Sequence, residues 1–360
     1  MTQKITHLIW RSLIGIGIGV IGVIITVDFI NYSQPKSQSR VNINEAIEPQ
    51  WAIEPQFNDA SRFSEGLAAV RVNKKWGYID KSGKFVIQPQ FDKVNRFSEG
   101  LAPAWIAGKN WGYIDRTGKF VIPPQFAEGD ADNFQEGLAS ACIVSACGYI
   151  DKTGRFVIER KFTNGEDFSE GLAAVKIGDS WGYIDKKGNI VIDPQFDDLD
   201  KFSQGLAAVK MGDKWGYIDK KGNIVIDPQF DDVSKFSEGL AAVKMGDKWG
   251  YIDKIGNIVI DPQFDNVFSF SEGLAPVERG DKFGYIDKKG DMVIQPQFDD
   301  AFRFSQGLAA VKIGDKWGYI DKKGDMVIQP QFDDASDFSQ GLAGVRIGDN
   351  VGYIPNPLNQ

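Results

Sequence analysis

The chain has 360 residues, of which 42% are hydrophobic and 25% charged; this is a globular composition, not a disordered one. A net charge of −8, with Lys and Asp interleaved, excludes the basic stripe that nucleic-acid binding requires, so no nucleic-acid partner is expected. Two cysteines (Cys142 and Cys147) and the lone His7 cannot build a structural zinc site, and no metal or cofactor is expected.

Ser12 to Val27 is a 16-residue uncharged run, extended by apolar neighbours to residues 8–30. A membrane-spanning helix needs about 20 such residues. Residues 1–30 therefore read as a cytoplasmic tip and a single transmembrane anchor, with membrane contact through residues 8–30. The rival is a cleaved signal peptide, but no small-residue cleavage site follows the run. The short basic N-terminus would stay inside, leaving the rest of the chain extracytoplasmic, at a cell envelope. Gly15 and Gly19 form a GxxxG spacing through which two helices could dimerise. Residues 31–46 are polar and aperiodic and read as a linker.

Residues 47–360 repeat one sentence nine times. Gly77, Gly112, Gly148, Gly182, Gly216, Gly250, Gly284, Gly318 and Gly352 fall 34 to 36 residues apart, each followed by tyrosine. Such a period marks a repeat architecture. In the fifth copy, Leu206 to Lys210 and Trp215 to Asp219 alternate in polarity, and Asn223 to Ile226 is β-branched. Each unit reads as a three-stranded β-meander plus a connector that carries at most one short strand. In the hairpin, Lys210 is expected opposite Trp215 and Ala208 opposite Tyr217. Gly216 then offers clearance to Val209 or to a neighbouring unit. Asp219 and Gly222 make the turn, the latter left-handed, and Pro228 stops the third strand. In the third unit Cys142 and Cys147 fill the Lys and Trp slots, which are cross-strand partners and suited to a disulfide.

The signatures Gly-Tyr-Ile-Asp and Phe-Ser-x-Gly-Leu-Ala, recurring at matching offsets from Trp51 to Ile354, resemble the WG repeat family of bacterial β-repeats. That resemblance implies bacterial, often envelope-associated proteins with no established common activity. Cys147, Phe283 and Val351 depart from it at the Trp position, and Pro355 at the last Asp.

The expected fold is all-β: nine tandem units forming a curved open β-array or solenoid behind one transmembrane helix, with a closed propeller-like ring as the alternative. The chain opens with a third-strand element, Ile53 to Phe57, and ends after a second strand. That phase suits closure. Nine blades of about 34 residues argue against it, since that length is short for four strands.

No nucleophile–base pair, HExxH or P-loop is present, and the repeated Asp residues read as turn caps. The Trp slots, Trp215 among them, read as packing in preference to a sugar-stacking ladder. Binding candidates therefore come from the irregular units two to four: Trp105, Glu128, Asp130 and Asp132. The expected function is a non-enzymatic, membrane-anchored scaffold binding a protein or glycan. The alternatives are an envelope hydrolase with a carboxylate site in the irregular units and a purely structural spacer.

Overall fold

The structure is a computed structural model that describes residues 50–126, 131–143 and 146–359. Each repeat folds as a blade. In the fifth, the strands Asp198–Leu199, Leu206–Met211, Lys214–Asp219 and Ile224–Phe230 form one antiparallel sheet in chain order. The connector thus supplies a fourth, two-residue strand ahead of the hairpin. This economy lets about 34 residues make a four-stranded blade. A single residue, Asp197, separates the long strand of one blade from the short strand of the next. In the third blade the described part of the short strand is the bridge from Ala131 to Ala141.

The hairpin register is Ala208 to Tyr217, Val209 to Gly216 and Lys210 to Trp215, as the alternation predicts. Because side chains alternate with a period of two, each sheet has two apolar faces and needs two neighbours. One face of blade four (Ala174, Tyr183, Ile192, Phe196) packs on the opposite face of blade five (Phe202, Ala207, Val209, Ile218). Full burial of a Phe or Ile side chain contributes about 1.5–3 kcal/mol. The hydrophobic core is therefore divided among the interfaces between blades.

These interfaces leave no free end, and the expected open array is corrected to a closed nine-bladed β-propeller. Ile53–Phe57 pairs antiparallel with Asn350–Pro355 and completes the ninth blade. Ile53, Phe57, Leu342 and Tyr353 then pack on Phe63, Ala68, Val70 and Ile79 of blade one. The closing interface uses the same residue types as every other. Closure therefore costs no new kind of contact, and it buries the two faces an open array would leave wet.

Two further readings change. Pro228 does not stop its strand, which runs on to Phe230. Tyr217 pairs with Ile226 and Trp215 with Phe230, so the strand carries two extra residues in a bulge, and Pro228 sits in it. Gly216 lies beneath that bulge. A Cβ there would come within 2.5 Å of the Ile226 oxygen and 2.7 Å of the Pro228 nitrogen. Its clearance serves the unit's own long strand, not Val209 or a neighbouring unit.

The expected membrane anchor is also corrected. Among the described residues no helix is long and apolar enough to cross a membrane; their regular structure is strand, with one 3-10 turn at Pro357–Asn359. Single-pass placement, with the repeats outside, is therefore not supported. Residues 1–30, Gly15 and Gly19 within them, the 31–46 linker, Glu128 and Asp130 lie outside the described residues.

Candidate functional site

The most constant part of the repeat builds a belt. In blade six the turn Ser237-Glu238-Gly239-Leu240 is closed by Ser237 and Leu240 bonding each other's backbone. Glu238 and Gly239 both take positive φ, 52° and 92°. A left-handed glutamate costs about 1–2 kcal/mol, so its side chain must return something. Its carboxylate accepts the Gly273 N–H of the next blade at 3.0 Å, and Lys288 donates to its carbonyl at 3.0 Å. Ser237 Oγ donates to the Phe270 carbonyl at 2.8 Å. The belt crosses the closure: Ser339 Oγ donates to the Phe63 carbonyl, and the Gly66 N–H donates to Gln340 Oε1. In the last copy buried Asn356 stands in for the lysine and donates to the Gln306 carbonyl. Sequence reading passed over this position. Its signal is that only Glu or Gln occupies it in all nine copies, from Glu65 to Gln340.

The invariant tyrosines have one partner type. Tyr217 Oη donates to the Ser234 carbonyl of the next blade at 2.7 Å, and Tyr251 and Tyr285 likewise to the carbonyls of Phe268 and Phe302. Desolvation raises the Tyr217 hydroxyl's pKa far above the usual phenol range, so it remains a donor. The anchor is a backbone carbonyl, and that leaves the side chain on the anchored residue free to vary.

It does vary. The anchored slot holds Ser61, Asn95, Asp132, Glu166, Asp200, Ser234, Phe268, Phe302 and Ser336. The next slot, just before the constant phenylalanine, is equally mixed, from Arg62 in blade one to Asp337 in blade nine. Phe268 and Ser269 of blade seven, Phe302 and Arg303 of blade eight, Asp334 to Asp337 of blade nine and Arg62 of blade one line one cavity of about 440 Å³. Equivalent positions on four successive blades can share a cavity only from the concave side of a ring. The short strand is therefore innermost, and the two variable slots form the inner wall.

Along that wall the slot before the phenylalanine makes ion pairs from blade to blade. Arg62 Nη1 lies 2.7 Å from Asp337 Oδ2, and Lys201 Nζ 2.9 Å from Asp167 Oδ2. The other oxygens of Asp167 and Asp337 are buried without a hydrogen-bond partner among the described residues, a cost of about 1–3 kcal/mol each. The anchored aromatics are braced behind: Phe302 lies 4.8 Å from the Trp317 ring centroid at 30°, and Phe268 lies 6.1 Å from Phe283.

The structure separates the sequence candidates. Asp132 occupies an anchored wall slot, its carbonyl accepting Tyr113 Oη at 2.8 Å. Trp105 instead fills the lysine slot of a hairpin strand, opposite Trp111, with Lys93 Nζ 5.5 Å from its ring. Trp215 is half-buried in packing between blades five and six. Asp219 Oδ1 accepts the Lys221 and Asn223 N–H groups around left-handed Gly222, φ 84°. The side-chain hydrogen bond from Asn223 is the main cause holding that carboxyl below its usual range. Asp231, one of the repeated carboxylates, takes Lys214 on one oxygen and the Gly246 N–H on the other, capping a hairpin. Cys142 and Cys147 are register partners and joined by a disulfide.

The WG containing repeat matches the chain nine times, at residues 48–76, 76–109, 111–143, 148–180, 181–215, 215–249, 249–283, 283–317 and 317–350. No curated protein matches it. Among solved structures, one described as the eukaryotic initiation factor aligns at 13% identity and a TM-score of 0.59, covering 85% of this chain and 92% of its own. That identity speaks to fold alone. The computationally designed Ika8 protein aligns at 11% identity and a TM-score of 0.45, covering 86% and 98%. BamB from Moraxella catarrhalis aligns at 8% identity and a TM-score of 0.42, covering 84% and 99%.

Proposed function

This chain belongs to the WG containing repeat family, and from that premise we propose that it is a non-enzymatic binding module whose inner wall receives a segment of a partner protein. One observation carries the reading: the constant residues of the repeat are committed to building the ring, and two variable slots of the connector meet, from blade seven to blade one, at one cavity. Structural demand accounts for the tyrosine, the belt glutamate and the turn aspartate. It does not account for Phe268, Phe302, Arg303 or Asp132.

The absence of catalysis is part of the proposal. Repeated carboxylates such as Asp219 and Asp231 are engaged as caps and ion pairs. A general acid or base would instead need a perturbed pKa near its working pH. A protein partner is preferred to a glycan because the tryptophans that might stack sugars are packed between blades.

The test replaces the wall while leaving the belt intact, with Phe268→Ser, Phe302→Ser and Arg303→Ser combined. Wild type and variant are compared against peptide and glycan arrays. Peptide binding by the wild type, lost in a variant of unchanged melting temperature, supports the proposal. Binding that survives the replacement overturns it, and glycan binding alone replaces the partner class. Turnover on any hydrolase substrate that falls with Asp130→Asn and Asp132→Asn would restore the enzymatic alternative.

A further inference from the structure

Blades seven to one carry a more specific arrangement, and from it we infer that their inner-wall cavity binds an aromatic carboxylate; this rests on reading the ring as a binding module. Phe268 and Phe302 occupy neighbouring anchored slots where the other seven copies have Ser, Asn, Asp or Glu. The tyrosine anchors of the preceding blades hold their backbones, at 2.9 Å for Phe268 and 2.8 Å for Phe302. Phe268 is 36% exposed and lines the cavity.

Of the two guanidiniums that line the cavity, Arg62 is paired and Arg303 is not. Asp337 is paired with Arg62 at 2.7 Å. Asp334 accepts the Ala335 N–H, and its register partner Arg346 lies against Asp59 instead, at 3.7 Å. Arg303 has no hydrogen bond and no ion pair among the described residues, and it lines the same cavity as both phenylalanines. A free guanidinium beside two aromatic rings suits a ligand with a flat ring and a carboxylate, since guanidinium bonds carboxylates in a bidentate fork. A volume of about 440 Å³ admits a ligand of small-molecule size. Two sources share this chemistry: a free aryl carboxylic acid, and an aromatic residue at the C-terminus of a protein chain.

Calorimetric titration of the full chain separates the outcomes. The probes are 3-phenylpropionate and its amide, and a pentapeptide ending in phenylalanine with a free or an amidated C-terminus. Saturable binding of a carboxylate form is expected, weakened about tenfold by amidation and about tenfold by Arg303→Gln, one charge-assisted hydrogen bond each. Phe302→Leu should weaken it as well. Lys221→Gln, in the Asp219 turn of blade five and off the inner wall, should leave it unchanged, since the next copy already carries Ile255 there. Preference for the small acid or the peptide identifies the source. Equal binding of acid and amide, an undiminished Arg303→Gln variant, or no saturation at millimolar probe overturns the inference. If these fail while the wall replacement still abolishes capture of another peptide, the cavity assignment falls and the binding-module reading stands.

Discussion

Tyr217 reaches from blade five to the backbone of blade six, its hydroxyl 2.7 Å from the Ser234 carbonyl. Its ring meets Phe236 of that blade edge-on at 4.9 Å. One side chain thus supplies packing and a directional bond at the same interface. Tyr217→Phe keeps the ring and removes the bond, leaving a buried carbonyl without its donor. The expected loss is about 1–2 kcal/mol, read as a lower urea midpoint with an unchanged far-UV spectrum. An unchanged midpoint would mean that water replaces the hydroxyl at no cost.

Two glycines that recur in every copy should respond differently. Gly216→Ala drives a Cβ to 2.5 Å from the Ile226 oxygen, so the bulged strand itself must move. A loss of about 3 kcal/mol or more is expected, since backbone cannot yield as a side-chain tip can. At Gly239 nothing lies within 4 Å of the added Cβ, and only its φ of 92° opposes alanine. About 1–2 kcal/mol is expected there. Thermal melts of the two variants compare them directly, and equal losses would refute the bulge as the reason for the glycine in the Trp-Gly signature.

The hairpin was legible because its information is local. A two-residue polarity period and a short turn fix the pairing of Lys210 with Trp215 within the unit. Closure was not legible in that way. It depends on Ile53 meeting Tyr353 across almost the whole chain, and an open array of the same units would show the same local pattern. The fragment Ile53 to Phe57 was the available clue, and the shortness of the unit outweighed it because a two-residue strand leaves little periodicity to read. The inner wall was missed for another reason. Trp105 and Asp132 stand out in sequence because their units are irregular in length, but Phe268 and Phe302 are substitutions in units of regular length. Only the ring brings those slots to one cavity.

Acid should loosen the belt. At Glu136, Glu170 and Glu238 burial pushes the carboxyl pKa up from 4.5. Hydrogen bonds from Lys186, Lys220 and Lys288, and from the next blade's glycine N–H, more than offset it and leave the pKa lowered. A lowered folded-state pKa stabilises the fold above the unfolded value of about 4.5 and is lost as pH falls through the folded value. Each pair is partly exposed and small alone, but the contacts repeat around the ring. The melting temperature should be flat from pH 7 to about 5 and fall below about 4. Glu136→Gln, Glu170→Gln and Glu238→Gln together should flatten that fall, because Gln204, Gln306 and Gln340 already perform the same role uncharged. A slope unchanged by the triple variant would place the acid sensitivity elsewhere.

Closure itself can be tested by removing the residues before Asp59. In an open array this deletes a terminal extension and costs little. In the ring it takes the long strand from blade nine, strips Tyr353 of its partner Ile53, and exposes the interface that Phe63, Val70 and Ile79 share with blade nine. Ile53 and Phe57 are 4% and 1% exposed, so their removal alone forfeits about 3–6 kcal/mol of burial. The truncated chain is expected to melt at a lower temperature and to be cut by protease in blades nine and one before the others. A circular permutant tests the same point with composition kept. Residues 50–58 are moved behind Asn359 through a flexible linker, so the strand can still pair with Asn350–Pro355. It should regain most of the lost stability, whereas an open array would gain nothing from that transfer.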